Sequence, residues 1–276
     1  MALVEEEMSD DEVFAFCASV VLGVVGAAFW YLRGLRASRL GASKRSLATL
    51  LLAPPAALAF LWSVLAFAAA VEVRTDVRYQ LLFVAMGSSW VFLLPRMLSI
   101  IGVSYRDDAL ERRNASAAIA MTGTIAGLVL LFAGSNMGEG PSIWNTVVTA
   151  LATTAALFGV VFVFALSTSL GDSIAVERDL PTGVRFAGLS AASGIVLGRA
   201  AAGNWVSTQA MITDLAALGW PVVVLLLLAI ALEHALRPRD SNPRPSLFAA
   251  GVLPAVAYLA LSVVYVAVLP GWRASR

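Results

Sequence analysis

The sequence predicts an all-α integral membrane protein, an eight-span helical bundle built from four parallel two-helix repeats. Three observations carry this. Hydrophobic residues make up 59% of the 276 and charged residues 13%, against roughly 25% charged in soluble domains. The apolar residues fall into eight stretches, each near the roughly 20 residues that cross a bilayer. The basic residues gather in alternate connectors: 14 of the 19 Lys and Arg follow spans 1, 3, 5 and 7.

The elements follow in order. Residues 1–12 form an acidic, exposed tail holding Glu5, Glu6, Glu7, Asp10, Asp11 and Glu12. Span 1, about 13–33, ends in Arg33, Arg36 and Arg39. Acid before and base after is the reverse of a cleavable signal, whose leading region is positive. Span 1 is thus expected to remain as an anchor with its N-terminus exported. Span 2 (47–71) contains Pro54-Pro55, and span 3 (78–101) carries Pro95-Arg96 near its end. Span 4 (115–135) follows Asn114. Span 5 (143–171) follows the turn Gly138-Glu139-Gly140-Pro141. Span 6 (182–203) follows Pro181. Span 7 (214–236) starts at Asp214, where an acid suits the helix dipole, and closes on Glu233-His234. Span 8 (247–269) follows Asp240-Ser241-Asn242-Pro243 and contains Pro254. Short basic loops face the cytoplasm, so both termini are expected on the non-cytoplasmic side. Arginine outnumbers lysine heavily, which suits GC-rich codons and a bacterial cytoplasmic (inner) membrane.

The chain echoes itself at about 66 residues. Glu111-Arg112 precedes 114–128 and Glu177-Arg178 precedes 181–195, with weaker echoes from Ser46 and Ser246. The repeats run about 13–71, 78–135, 143–203 and 214–269. Two spans per repeat restore orientation, so the repeats are parallel, unlike the inverted repeats of many transporters. The returning spans share a weakened helix some eight residues in: Pro54-Pro55, Thr122-Gly123, Ser190 and Pro254. Such breaks, about 13 Å deep, either let helices pack and bend or open a binding site at the midplane. Gly123 with Gly127, and Gly194 with Gly198 extended by Ser190, make small-residue stripes on which helices close to van der Waals contact.

Asn114-Ala115-Ser116-Ala117-Ala118, followed by Gly123 and Gly127, resembles the small-residue signature of an uncharacterised bacterial membrane family, the domain of unknown function numbered 350. Spans 3 to 6 carry the resemblance. Pro181 stands where the second asparagine is expected, and Arg185 interrupts the alanine-rich stretch. The resemblance implies a membrane location and no established activity. Two arrangements fit it: a tandem of two four-span units, or one unit with a hairpin added at each end.

Little points to chemistry. One cysteine, Cys17, and one histidine, His234, exclude an internal disulfide and a bis-histidine haem site. No metalloprotease, phosphate-loop or triad motif is present, so neither enzyme activity nor a cofactor is expected. A net charge of +1 offers nothing to nucleic acid. Arg199, inside span 6, is the candidate intramembrane charge, although it and Arg185 are placed to snorkel toward the two interfaces. Asn114, Thr122, Thr124, Thr149, Thr153, Ser190 and Ser193 could line a polar seam between spans 4, 5 and 6. The commoner fate of such hydroxyls is a bond to their own helix. Trp30-Tyr31, Trp144, Trp205, Trp220 and Trp272 fall near span ends, as an aromatic belt does. The expectation is a non-enzymatic packing component whose partners are the bilayer and either its own copies or other membrane subunits. The alternative is a channel or uncoupled permease along spans 4 to 6.

Overall fold

The computed structural model describes residues 8–39, 44–138, 142–203, 207–237 and 246–269, and among these there is no strand. Eight helical stretches are long and apolar enough to cross a membrane: Asp10–Ser38, Ser46–Phe67, Val77–Ile101, Ala115–Ser135, Ile143–Ser167, Leu180–Ala201, Thr208–Leu236 and Phe248–Val268. They comprise α1 (Asp10–Arg39), α2 (Lys44–Phe67), α4 (Val77–Leu93), α5 (Ala115–Ser135), α6 (Ile143–Ser167), α8 (Leu180–Ala201), α9 (Thr208–Gly219), α10 (Pro221–Leu236) and α11 (Leu253–Val268). α3 (Val71–Thr75) and α7 (Leu170–Ala175) are short connectors. α4 continues as a 3-10 segment, Leu94–Ile101, and α11 is entered through a π turn, Phe248–Val252.

α5 and α8 form the centre. Ser116 meets Gly183, Gly123 meets Ala187, Gly127 meets Gly194, Gly134 meets Gly198 and Gly138 meets Gly203. The numbers rise together, so the two helices run parallel. A Cβ added to Gly194 would stand 2.6 Å from Gly127 Cα, so only glycine allows this approach. Around this pair α2 packs on α5, and α11, α9, α6 and α10 pack on α8. α1 lies outermost, against α4. Burial follows that order, from 78% of the span of α5 to 17% of the first span.

The entrances to α5 and α8 share one turn. Among the described residues, Arg113 and Arg178 are the non-glycine residues with positive φ, 55° and 54°. Each precedes a capping side chain: Asn114 accepts from Ser116 N at 3.0 Å and Ala117 N at 3.3 Å, and Asp179 accepts from Thr182 N at 2.9 Å. The caps free each helix end of two orphan donors or one. The turns also hold each other. Asn114 Nδ2 donates to the Ile174 carbonyl (2.6 Å) and Ser116 Oγ to the Asp179 carbonyl (2.7 Å). This geometry pairs Arg113-Asn114 with Arg178-Asp179, one residue out of step with the Glu-Arg pairing read from the sequence. Asp179 caps α8 as Asn114 caps α5, and Pro181 lies in the first helical turn, which suits proline.

Several boundaries differ from expectation. Span 7 starts at Thr208, where Ser207 accepts from Ala210 N at 3.2 Å, leaving Asp214 inside α9. Span 5 stops at Ser167, where Thr168 Oγ1 caps the Phe164 carbonyl at 2.7 Å. α5 and α8 pass through Thr122-Gly123 and Ser190 without a break.

The prolines do change the bonding. Proline removes the donor to the carbonyl four residues back, which for Pro54, Pro55 and Pro254 means Leu50, Leu51 and Ala250. Trp30 Nε1 donates to Leu50 O at 3.0 Å and Tyr31 Oη to Leu51 O at 3.2 Å. Arg185 Nη1 donates to Ala250 O. Trp30 is fully buried and stacks on Tyr105 at 3.8 Å, so it belongs to the core and not to an aromatic belt. Trp144 and Trp220 are exposed, and Trp205 and Trp272 lie outside the described residues.

Gly127→Leu is expected to lower the stability of the detergent-solubilised protein by about 3 kcal/mol or more, since backbone on both sides leaves no room to relax. Gly159→Leu, where a Cβ meets nothing within 4 Å, is expected to be nearly neutral in the same thermal unfolding assay.

Candidate functional site: a buried arginine–glutamate pair

Arg185 occupies the second turn of α8, and Glu233 the last turn of α10. Both are buried, each 2% exposed. Arg185 Nη2 lies 2.8 Å and Nε 3.0 Å from Glu233 Oε2. Thr182, one turn before Arg185, closes a triangle: its Oγ1 accepts from Arg185 Nη2 at 2.7 Å and donates to Glu233 Oε1 at 3.0 Å. The remaining guanidinium nitrogen, Nη1, takes the Ala250 carbonyl that Pro254 leaves open. Three helices thus converge on one cation, and both carboxylate oxygens are engaged.

This corrects the expectation that Arg185 snorkels. A charge can stay inside the bundle when its desolvation is offset by a partner and by bonds to the remaining donors. Here Glu233, Thr182 and Ala250 give each of the three guanidinium nitrogens a partner. Glu233 and His234 then divide by face. Glu233 turns inward, while the exposed His234 places Nε2 3.0 Å from the Ser167 carbonyl. Outside the triangle, Arg237 pairs with Glu177 at 2.9 Å, joining the end of α10 to the turn before α8. Arg199, near the other end of α8, is 9% exposed.

The seam residues do not assemble into one line. Thr122 Oγ1 donates to Ala118 O and Thr124 Oγ1 to Ala120 O, each at 3.0 Å. Thr149 Oγ1 donates to Asn145 O at 2.6 Å and Thr153 Oγ1 to Thr149 O at 2.8 Å. Each hydroxyl turns back on its own helix. Thr122 lines an apolar cleft of about 330 Å³ between α2 and α5, with Ala53, Ala57, Phe60 and Ala126. Thr149 also reaches Met211 Sδ of α9 at 3.5 Å. Ser190 and Ser193 are buried on α8, and their hydroxyls have no hydrogen-bond partner. Asn114 serves as the α5 cap. The glycines Gly123, Gly127, Gly194 and Gly198 face one another, or the facing backbone, inside the α5–α8 contact.

Chemically, the triangle is a buried ion pair in which every guanidinium nitrogen and both carboxylate oxygens are engaged. Among the described residues no cluster of His, Cys, Asp or Glu could hold a metal ion. Sequence reasoning noted Arg185, Glu233 and Pro254 separately and missed their union. The proline rule marks Ala250 as an open acceptor, but the donor comes from 65 residues away. Compared with known proteins, the chain matches no family model, no curated protein and no solved structure.

Glu233→Gln or Glu233→Leu alone, leaving Arg185 buried and uncompensated, is expected to destabilise by about 3–5 kcal/mol. The double replacement Arg185→Met/Glu233→Leu is expected to recover most of that loss, read as the shift in the thermal unfolding midpoint.

Proposed function

We propose that the protein is a non-catalytic component of a bacterial cytoplasmic membrane, a packing or assembly subunit with both termini outside and its basic loops inside. In this reading the chain is four parallel hairpins, and spans 3 to 6 carry the likeness to the uncharacterised family numbered 350. The observation that supports it is the filled centre. Where a path along spans 4 to 6 would run, the backbones of Gly127 and Gly194 touch, and the threonine hydroxyls are bonded to their own helices. The seam glycines are used within the chain, so contacts with further copies or other subunits fall to the outer spans. Those spans are apolar and little buried, 17% for the first and 28% for the last two.

A permease along spans 4 to 6 is the second reading, favoured by the partnerless hydroxyls of Ser190 and Ser193. Reconstitution separates the two. The packing reading expects ion and small-solute flux no higher than empty vesicles, together with a discrete oligomer or complex in native mass spectrometry. Flux that Ser190→Ala abolishes while helicity is retained would establish the permease instead.

A further inference from the structure

At the basic end of the first and third spans, two arginines share one aromatic ring. The guanidinium of Arg33, on α1, and that of Arg96, on the 3-10 segment after α4, each lie 5.7 Å from the centroid of Phe29. Neither forms an ion pair among the described residues. Arg96 Nη2 donates to the Gly26 carbonyl at 3.1 Å, while its buried Nε has no partner. The approach is possible because α1 packs closely here: a Cβ on Gly26 would stand 2.9 Å from Phe92 Cβ. Behind the pair stands Tyr105, whose hydroxyl donates to the Trp30 carbonyl at 2.9 Å. Burial pushes the Tyr105 hydroxyl far above the ordinary tyrosine range, with the charges of Arg96 and Arg33 acting the other way. Tyr105 therefore stays neutral and does not compensate them.

Two like charges gathered on one ring repel each other, and an oxyanion between them removes that cost. Guanidinium forks match a phosphate better than any other side chain does. The surroundings specify what carries the phosphate. Leu22, Val25 and Phe29 lie at i, i+3 and i+7 on one face of α1, and are 49%, 45% and 50% exposed. They form an apolar stripe that leads along the span up to Arg33, four residues beyond Phe29. Acyl chains fit the stripe, and a headgroup fits its basic end.

We propose that Arg33 and Arg96 hold the phosphate of an anionic phospholipid whose acyl chains lie along the Leu22–Val25–Phe29 face. The full chain in detergent is titrated, by native mass spectrometry, with phosphatidylglycerol and with phosphatidylcholine of the same acyl composition. The wild type is expected to prefer phosphatidylglycerol by about tenfold or more. Arg33 makes no hydrogen bond within the described residues, so Arg33→Gln should fold normally, as circular dichroism checks. It is expected to lose about fivefold in phosphatidylglycerol affinity. Arg74→Gln/Arg78→Gln removes two charges elsewhere and should lose little. Glycerol phosphate, a headgroup without chains, should compete poorly. Equal retention of the two lipids by the wild type, unchanged retention by Arg33→Gln, or efficient displacement by glycerol phosphate would each overturn the proposal.

Discussion

A proline inside a membrane helix leaves a carbonyl that lipid cannot satisfy. Water would fill the vacancy in a soluble protein, but the hydrocarbon region supplies no donor. The donor has to come from another helix, and the fold then depends on that helix being in place. Pro54, Pro55 and Pro254 open the carbonyls of Leu50, Leu51 and Ala250, and Trp30, Tyr31 and Arg185 close them. The first two bonds tie α1 to α2. The third ties α8 to the entrance of α11, and through Glu233 it also ties α10. The prolines thus act as points of attachment between spans more than as places of flexure.

These attachments hold the periphery to a centre of another kind. α5 and α8 meet through glycine, alanine and serine with their backbones in contact, the arrangement that serves where lipid offers no hydrophobic drive for helix association. Their entrances are joined by Asn114 and Ser116 to the neighbouring turn. A rigid parallel pair results, and the first turns of α8 present Thr182 and Arg185 to the helices around it. Arg185 can be both buried and charged because its position on α8 is set by that seam and its partners come from two further helices.

Much of this was legible in the sequence, and the limits have physical causes. Span number and the parallel course of α5 and α8 follow from local patterns of apolar, small and basic residues. The glycines of the α5–α8 contact could be singled out because small residues four apart mark one helix face. Partners could not. Trp30 reads as an interfacial aromatic and Arg185 as a snorkelling anchor, because each is judged by its distance from a span end. The orientation of a side chain about the helix axis decides otherwise. The seam threonines show the opposite case: Thr122, Thr124, Thr149 and Thr153 bond within their own helices, while Ser190 and Ser193 stay without a partner.

The dependence of Trp30 on Pro54 tests the central claim most directly. In a double-mutant cycle, Trp30→Phe removes the donor to Leu50, and Pro54→Ala restores a backbone N–H that can replace it. Lost packing and lost stacking on Tyr105 are common to both backgrounds and cancel. The account predicts that Trp30→Phe is less destabilising by about 1 kcal/mol or more when residue 54 is alanine, from unfolding in detergent. Strict additivity would contradict it, showing that the Leu50 carbonyl does not need the donor that Trp30 supplies.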